Sequence, residues 1–261
     1  MSTVLLGFVV VFLAGLAAAA GLWLVRRLTS FNLHKEHNDV AGFIYSILGV
    51  AYAVVLGFVL VTVWQRYETA SERADQEAAA LVAVYFHGHE LPDSDRRQIQ
   101  QLAKSYAQVV IDEEWPMMQD GQSSPHAWEL MDQIRQSLQN PEHSTSSEYS
   151  TSTEQVLYDH GLARAHELAD ARRLRLFEAN TRIPTILWVI LLVGGLITVG
   201  FTYLFGLTSS RVHTLMVVAL TAVVTSILFT VYTLEHRFSS GDTGLTPEAF
   251  EEALQRFEGS V

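Results

Sequence analysis

Four apolar runs free of Asp, Glu, Lys and Arg, at 4–25, 40–64, 183–207 and 212–234, constrain this chain more than any other feature. Each exceeds the ~20 residues with which a helix crosses about 30 Å of hydrocarbon. In lipid each segment has to satisfy its own backbone N–H and C=O groups, so such runs fold as helices. Arg211 alone marks the turn between the third and fourth runs. The sequence therefore predicts an all-α, polytopic membrane protein. Transmembrane helices 1 and 2 occupy residues 1–65, a soluble acidic helical bundle 66–182, and transmembrane helices 3 and 4 residues 183–234. A tail, 235–261, carries a short amphipathic helix. The first run lacks a basic leader and is followed by Arg26-Arg27 rather than by small residues, so it reads as a retained helix and not a signal peptide.

Charge narrows the function. The segment 66–182 holds 20 acidic and 11 basic residues, most of the chain's net −11. Such a surface repels phosphate backbones, so nucleic acid is not an expected partner. The absence of cysteine removes thiol catalysis, disulfides and zinc–thiolate sites. The sequence has no nucleophile motif, glycine-rich phosphate loop or HExxH, so neither an enzyme nor a cofactor is expected. His213 is the one Asp, Glu, Lys, Arg or His side chain within the spans, which argues against proton coupling through buried carboxylates.

The second span carries two stripes. Gly42, Gly49, Ala53 and Gly57 form a small-residue face suited to close helix packing, as do Gly7, Gly15 and Gly21 on the first span. Phe43, Ile47, Val50, Val54, Phe58 and Val61 form a larger apolar face that could meet lipid, a neighbouring subunit or a pore. No Gly or Pro interrupts Gln65–Tyr85, and Ala70, Ala74, Ala78, Leu81 and Tyr85 recur at helical spacing. The span is thus expected to continue as a soluble helix until Gly88 and Pro92. Asp93-Ser94-Asp95 offers N-caps for a helix with Ile99, Leu102, Ala103, Tyr106, Val109 and Val110 inward. Ser124-Pro125 starts another, with Trp128, Met131, Ile134 and Leu138 inward. Residues 140–153 read as a polar loop, and Ser152 with Gln155 as a capping box. The helix that follows carries Val156, Leu157, Leu168, Ala169 and Phe177 on its expected apolar side. Thr246-Pro247-Glu248 starts the terminal helix, whose Phe250, Leu254 and Phe257 must dock on a bundle.

Polar residues gather at the ends of the spans. His34, Glu36, His37, Asn38 and Asp39 precede the second, where they could hold a divalent ion or serve as an interfacial turn with an N-cap. His87, His89 and Glu90 read as a solvated helix end, and Asp112, Glu113 and Glu114 as an acidic helix face. Glu235, His236 and Arg237 read as an anchoring ion-pair set, and His213 as facing the membrane interface. Arg66, Arg73, Arg172, Arg173, Arg175, Arg182 and Arg237 lie on the side of the insertion, against Arg26, Arg27, Lys35 and Arg211 on the other. That balance favours a cytoplasmic insertion and cytoplasmic termini.

The chain resembles the bacterial bestrophin-like membrane proteins, the domain-of-unknown-function family DUF4239. The resemblance rests on His37-Asn38-Asp39-Val40-Ala41-Gly42-Phe43 running into Leu56-Gly57-Phe58-Val59-Leu60, on Trp64 through Glu77-Ala78, and on Phe238-Ser239-Ser240-Gly241 with Pro247-Glu248-Ala249-Phe250. Arg237 stands where that family has Pro. The resemblance implies a bestrophin-like layout: a homo-oligomer, pentameric in bestrophins, in the bacterial inner membrane, passing inorganic ions through a neck lined by the second helix. Phe43, Ile47, Val50, Val54 and Phe58 are then the expected pore-lining residues. The alternative is a non-conducting structural or sensory protein whose bundle binds a ligand or partner.

Overall fold

The computed structural model describes residues 2–28, 38–139, 152–205, 209–238 and 242–259, and of 38–41 and 152–154 the backbone only. All regular elements among them are helical: α1 (Thr3–Leu28), α2 (Asn38–His87), α3 (Asp93–Val109), α4 (Trp115–Met118), α5 (Pro125–Gln139), α6 (Ser152–Asn180), α7 (Thr185–Thr202), α8 (Ser210–Glu235) and α9 (Glu248–Glu258). Four of them are long and apolar enough to cross a membrane. The chain divides into two compact units, one built on Met1–Gln65 and Arg182–His236, the other on Arg66–Thr181 with Arg237–Ser240 and Gly244–Val261.

In the membrane unit α1 lies along α8, and glycines make the approach possible. A Cβ on Gly7 would stand 2.7 Å from the Phe229 ring, and one on Gly15 3.3 Å from Val218. Lipid offers helices no hydrophobic gain on association, so van der Waals contact of this closeness holds them together. Ala18, Leu22 and Val217 form the buried centre of the contact. His213 is buried rather than interfacial: its Nε2–H donates to the Thr202 carbonyl at 2.9 Å, and Nδ1 accepts from Arg26 Nη2 at 2.6 Å. Arg26, at the α1 terminus, supplies the partner that permits an imidazole inside the bundle.

The second unit packs α3, α5, α6 and α9 around the second half of α2. Ala70, Ala74, Ala78 and Leu81 are buried, as are Ile99, Ala103 and Tyr106 of α3 and Met131, Ile134 and Leu138 of α5. Ser124 caps α5 by accepting from the Ala127 N–H at 3.3 Å, with Pro125 in the first helical position. Helix α3 starts differently from expectation. Pro92 takes the capping position and Asp93 is already helical. The terminal helix docks on the bundle of its own chain. Phe250 and Phe257 are fully buried, Phe257 stacks on Tyr85 at 4.0 Å between ring centroids, and Tyr85 Oη donates to its carbonyl.

One part of this core departs from the sequence reading, although Leu168 is buried and Leu157 and Ala169 pack against it as expected. The inward face of α6 is Gly161, Ala165, Leu168, Arg172 and Arg175, whereas Val156 and Phe177 are exposed. Arg175 donates from Nε to Glu77 Oε2 at 2.6 Å and from Nη2 to Glu77 Oε1 at 3.0 Å, and also pairs with Glu114. Arg172 pairs with the other oxygen of Glu114 and donates to the Ser124 carbonyl at 3.2 Å. Tyr106 Oη donates to Glu77 Oε1 at 2.6 Å. All four charged side chains are fully buried, two cations with two anions, and their desolvation is offset by mutual pairing and by hydrogen bonds to Tyr106 and Ser124. Burial, and next the Glu77 charge, push the Tyr106 phenol well above its usual range. The two carboxylates hold the Arg175 guanidinium more firmly protonated than usual, against the opposing effect of burial. Glu114 belongs to a π-helical turn, Val110–Glu114. It is therefore a core residue and not part of a solvated acidic face. Arg172 and Arg175, like the buried Arg237, leave the tally of membrane-edge basic residues, which becomes four against four.

Candidate functional site

Helix α2 presents three distinct faces within the membrane unit. Tyr52, Leu56, Val59 and Val63 are buried. They form the back of the helix, packed on the chain's own transmembrane helices. Tyr52 anchors it, since its hydroxyl donates to the Leu191 carbonyl at 3.0 Å and its ring lies against Gly194 and Gly195 of α7. At about 100° per residue, Phe43, Ile47, Val50, Val54, Phe58 and Val61 fall on the opposite side. All six are exposed, Phe43 and Phe58 at 68% and 71%. This front is entirely apolar. Nearby hydroxyls are satisfied along the helix, Ser46 Oγ by the Phe43 carbonyl and Thr62 Oγ by the Phe58 carbonyl. Gly42, Gly49, Ala53 and Gly57 occupy one flank between back and front. A Cβ on any of these three glycines would meet nothing within 4 Å of the same chain.

The polar residues at the ends of the spans are placed unevenly. His34, Glu36 and His37 lie outside the described residues, as do the side chains of Asn38 and Asp39, whose backbone opens α2. Glu235, at the end of α8, accepts from the Ile183 N–H and from Trp188 Nε1, both at 2.8 Å. It thereby ties the residue that precedes the cap of α7, and an indole from that helix's first turn, to the end of α8. His236 donates through Nδ1 to the Tyr232 carbonyl at 2.9 Å. Arg237 donates to the carbonyls of Glu178 and Thr181, both at 2.7 Å, at the end of α6. The triplet thus bonds largely to helix termini, a role that the residue types alone did not distinguish from mutual ion pairing.

His87 donates through Nε2 to the Leu157 carbonyl at 2.8 Å and lies 3.3 Å from Glu90, while His89 meets Gln100. Among the described residues no three His, Asp or Glu side chains converge as they would around a metal ion. What the membrane unit offers is a long helix with one self-packed face, a small-residue flank and an open, uncharged apolar front.

The comparisons agree with this architecture. Crystal structures of a bacterial bestrophin homologue from Klebsiella pneumoniae superpose on the chain. One variant matches with a TM-score of 0.71 at 14% identity, over 95% of this chain and 99% of that one. Another gives 0.72 at 13% identity, over 95% and 97%. A further structure, described as a membrane protein, gives 0.69 at 12% identity, over 95% and 96%. Among curated proteins none matches. The profile of the Bestrophin-like domain matches residues 11–250, which is most of the chain, and with it the chain belongs to the Bestrophin-like family.

Proposed function

We propose that this protein is a passive ion channel, a ring of identical subunits, five by analogy with bestrophins, in the bacterial inner membrane. The front of α2 lines the pore, and the helical insertion and both termini lie in the cytoplasm. The observation that carries the reading is the placement of the front. An apolar stripe directly opposite the self-packed back of α2 is the face that a closed ring turns toward its axis. In such a head-to-tail ring the two flanks of each α2 meet neighbouring subunits. The flank of Gly42, Gly49, Ala53 and Gly57 supports close approach there. Phe43, Ile47, Val50, Val54 and Phe58 then form stacked apolar rings, which gate by losing water and need no charged group.

The test is current recorded from the purified full chain in planar bilayers under asymmetric KCl. Discrete currents are expected, and larger ones from Phe58→Ala or Ile47→Ala, because a wider, less apolar ring wets more readily. Unchanged currents in both variants would remove the assignment of this face. Silence from folded, oligomeric protein would favour a structural or sensory role.

A further inference from the structure

Where α1 stops and α8 begins, the membrane unit holds one imidazole in a setting that admits a single protonation state. His213, in the first turn of α8, is 2% exposed. Its Nε2 lies 2.9 Å from the Thr202 carbonyl oxygen, which can only accept. Its Nδ1 lies 2.6 Å from Arg26 Nη2, and a guanidinium can only donate. Nε2 therefore carries the hydrogen and Nδ1 a bare lone pair, so the ring is neutral. The other terminal nitrogen of Arg26 donates to the Ser210 hydroxyl. Arg26 thus ties the last turn of α1 to the first turn of α8 twice, and one of the two ties requires the lone pair of His213.

We infer that protonation of His213 breaks this tie, so that acid frees the end of α1 from α8. A proton on Nδ1 occupies the lone pair that Arg26 needs and sets two cations side by side. Nothing nearby offsets that. Among the described residues, α1, α7 and the first half of α8 contain no Asp or Glu. The charged and titratable groups around the ring are Arg26, Arg27, Arg211, Tyr203 and Tyr45. Arg27 turns to the Trp23 ring at 5.3 Å, and Arg211 is exposed. Tyr203 lies against Gly21, and Tyr45 of α2 stacks on Phe201 of α7. The first turn of a helix is also its positive end, which disfavours a further cation.

The release is local. One to two turns before Arg26, Ala18 and Leu22 stay packed on Val217, so α1 keeps its place along α8 and only its last turn opens. The sign follows from proton binding. The intact contact holds no proton on Nδ1, whereas a histidine in the unfolded chain takes one up as the pH falls through about 6.5. Stability from the contact is therefore fully present above that value and is lost progressively below it. None of this depends on whether the protein conducts.

Hydrogen exchange of the full chain in detergent, read by mass spectrometry and corrected for the intrinsic pH dependence of amide exchange, tests the inference. Between about pH 7.5 and about pH 5, the range in which histidine changes charge, the last turn of wild-type α1 is expected to lose protection about tenfold or more. That is the scale of one hydrogen bond to a charged group. His213→Gln offers an acceptor and a donor but does not titrate, and should keep its protection at both pH values. Arg26→Met removes the tie itself, and should show low protection at both. Equal wild-type protection at the two pH values would overturn the inference. So would a pH-dependent loss that persists in His213→Gln, because another group would then be titrating. Should His213→Gln not fold, Arg26→Met decides alone: a loss on acidification as large as that of the wild type would show that the tie between Arg26 and His213 is not what acid breaks.

Discussion

Arg175→Met isolates the energetics of the buried ion network. The substitution keeps an unbranched, apolar stem and removes the guanidinium that holds both Glu77 oxygens and one of Glu114. Glu114 retains Arg172 and the Ser124 N–H. Glu77 keeps only the Tyr106 hydroxyl among these partners, and so becomes a buried charge without a cation. Breaking one side of a buried pair costs about 3–5 kcal/mol, a large share of the ~5–15 kcal/mol by which domains are stable. In a chain of this size about 1 kcal/mol moves the midpoint by roughly 2–4 °C, so a fall of about 10 °C is expected. Thermal unfolding of the detergent-solubilised full chain, followed by tryptophan fluorescence, reads it directly. Trp115 faces the Arg175 guanidinium at 5.7 Å and Trp128 that of Arg172 at 4.4 Å.

The mechanism makes two further demands. Adding Glu77→Gln should recover at least half of the loss, because it removes the stranded charge and still leaves an acceptor for Tyr106. Lowering the pH should narrow the deficit of the single variant, since a partnerless buried Glu77 takes up a proton more readily. A loss under about 1 kcal/mol would show that pairing does not hold this core. A double variant no more stable than the single one would show that the cost is lost packing and not an unpaired charge.

Other consequences follow from packing and charge. Gly194→Val should weaken the contact of α2 with α7 by about 1–3 kcal/mol, because even a Cβ at that position would stand 2.6 Å from the Tyr52 ring. Combining it with Tyr52→Ala should cost less than the sum of the two, which a melting series would show. Asp75 is raised in the folded state, so its ionised form is disfavoured there relative to the unfolded chain. The penalty is present above the folded pKa and vanishes below the unfolded value of about 3.9. Asp75→Asn should therefore raise the melting temperature at pH 7 and leave it unchanged near pH 3.

Much of this architecture was legible because water and lipid sort side chains by polarity. The spans announce themselves through the absence of charge, and the inward faces of α3, α5 and α9 follow the spacing of Ile99 to Tyr106, Met131 to Leu138, and Phe250 with Phe257. The continuation of α2 to His87 was visible in its uninterrupted Ala70 to Tyr85 stripe. Tertiary structure decided what polarity cannot encode. In lipid the back and front of α2 are equally apolar, so only the contact of Tyr52 with Leu191 and Gly194 shows which side is self-packed and which remains open. Arg172, Arg175, Glu77 and Glu114 look like solvated surface because each can be buried only if the others are. Those partners lie on helices 58 to 98 residues apart in the chain. His213 was misplaced for the same reason, since its burial depends on Arg26 from another helix. Periodicity along one segment reports that segment's average environment. Pairing between segments exists only once the fold has brought them together.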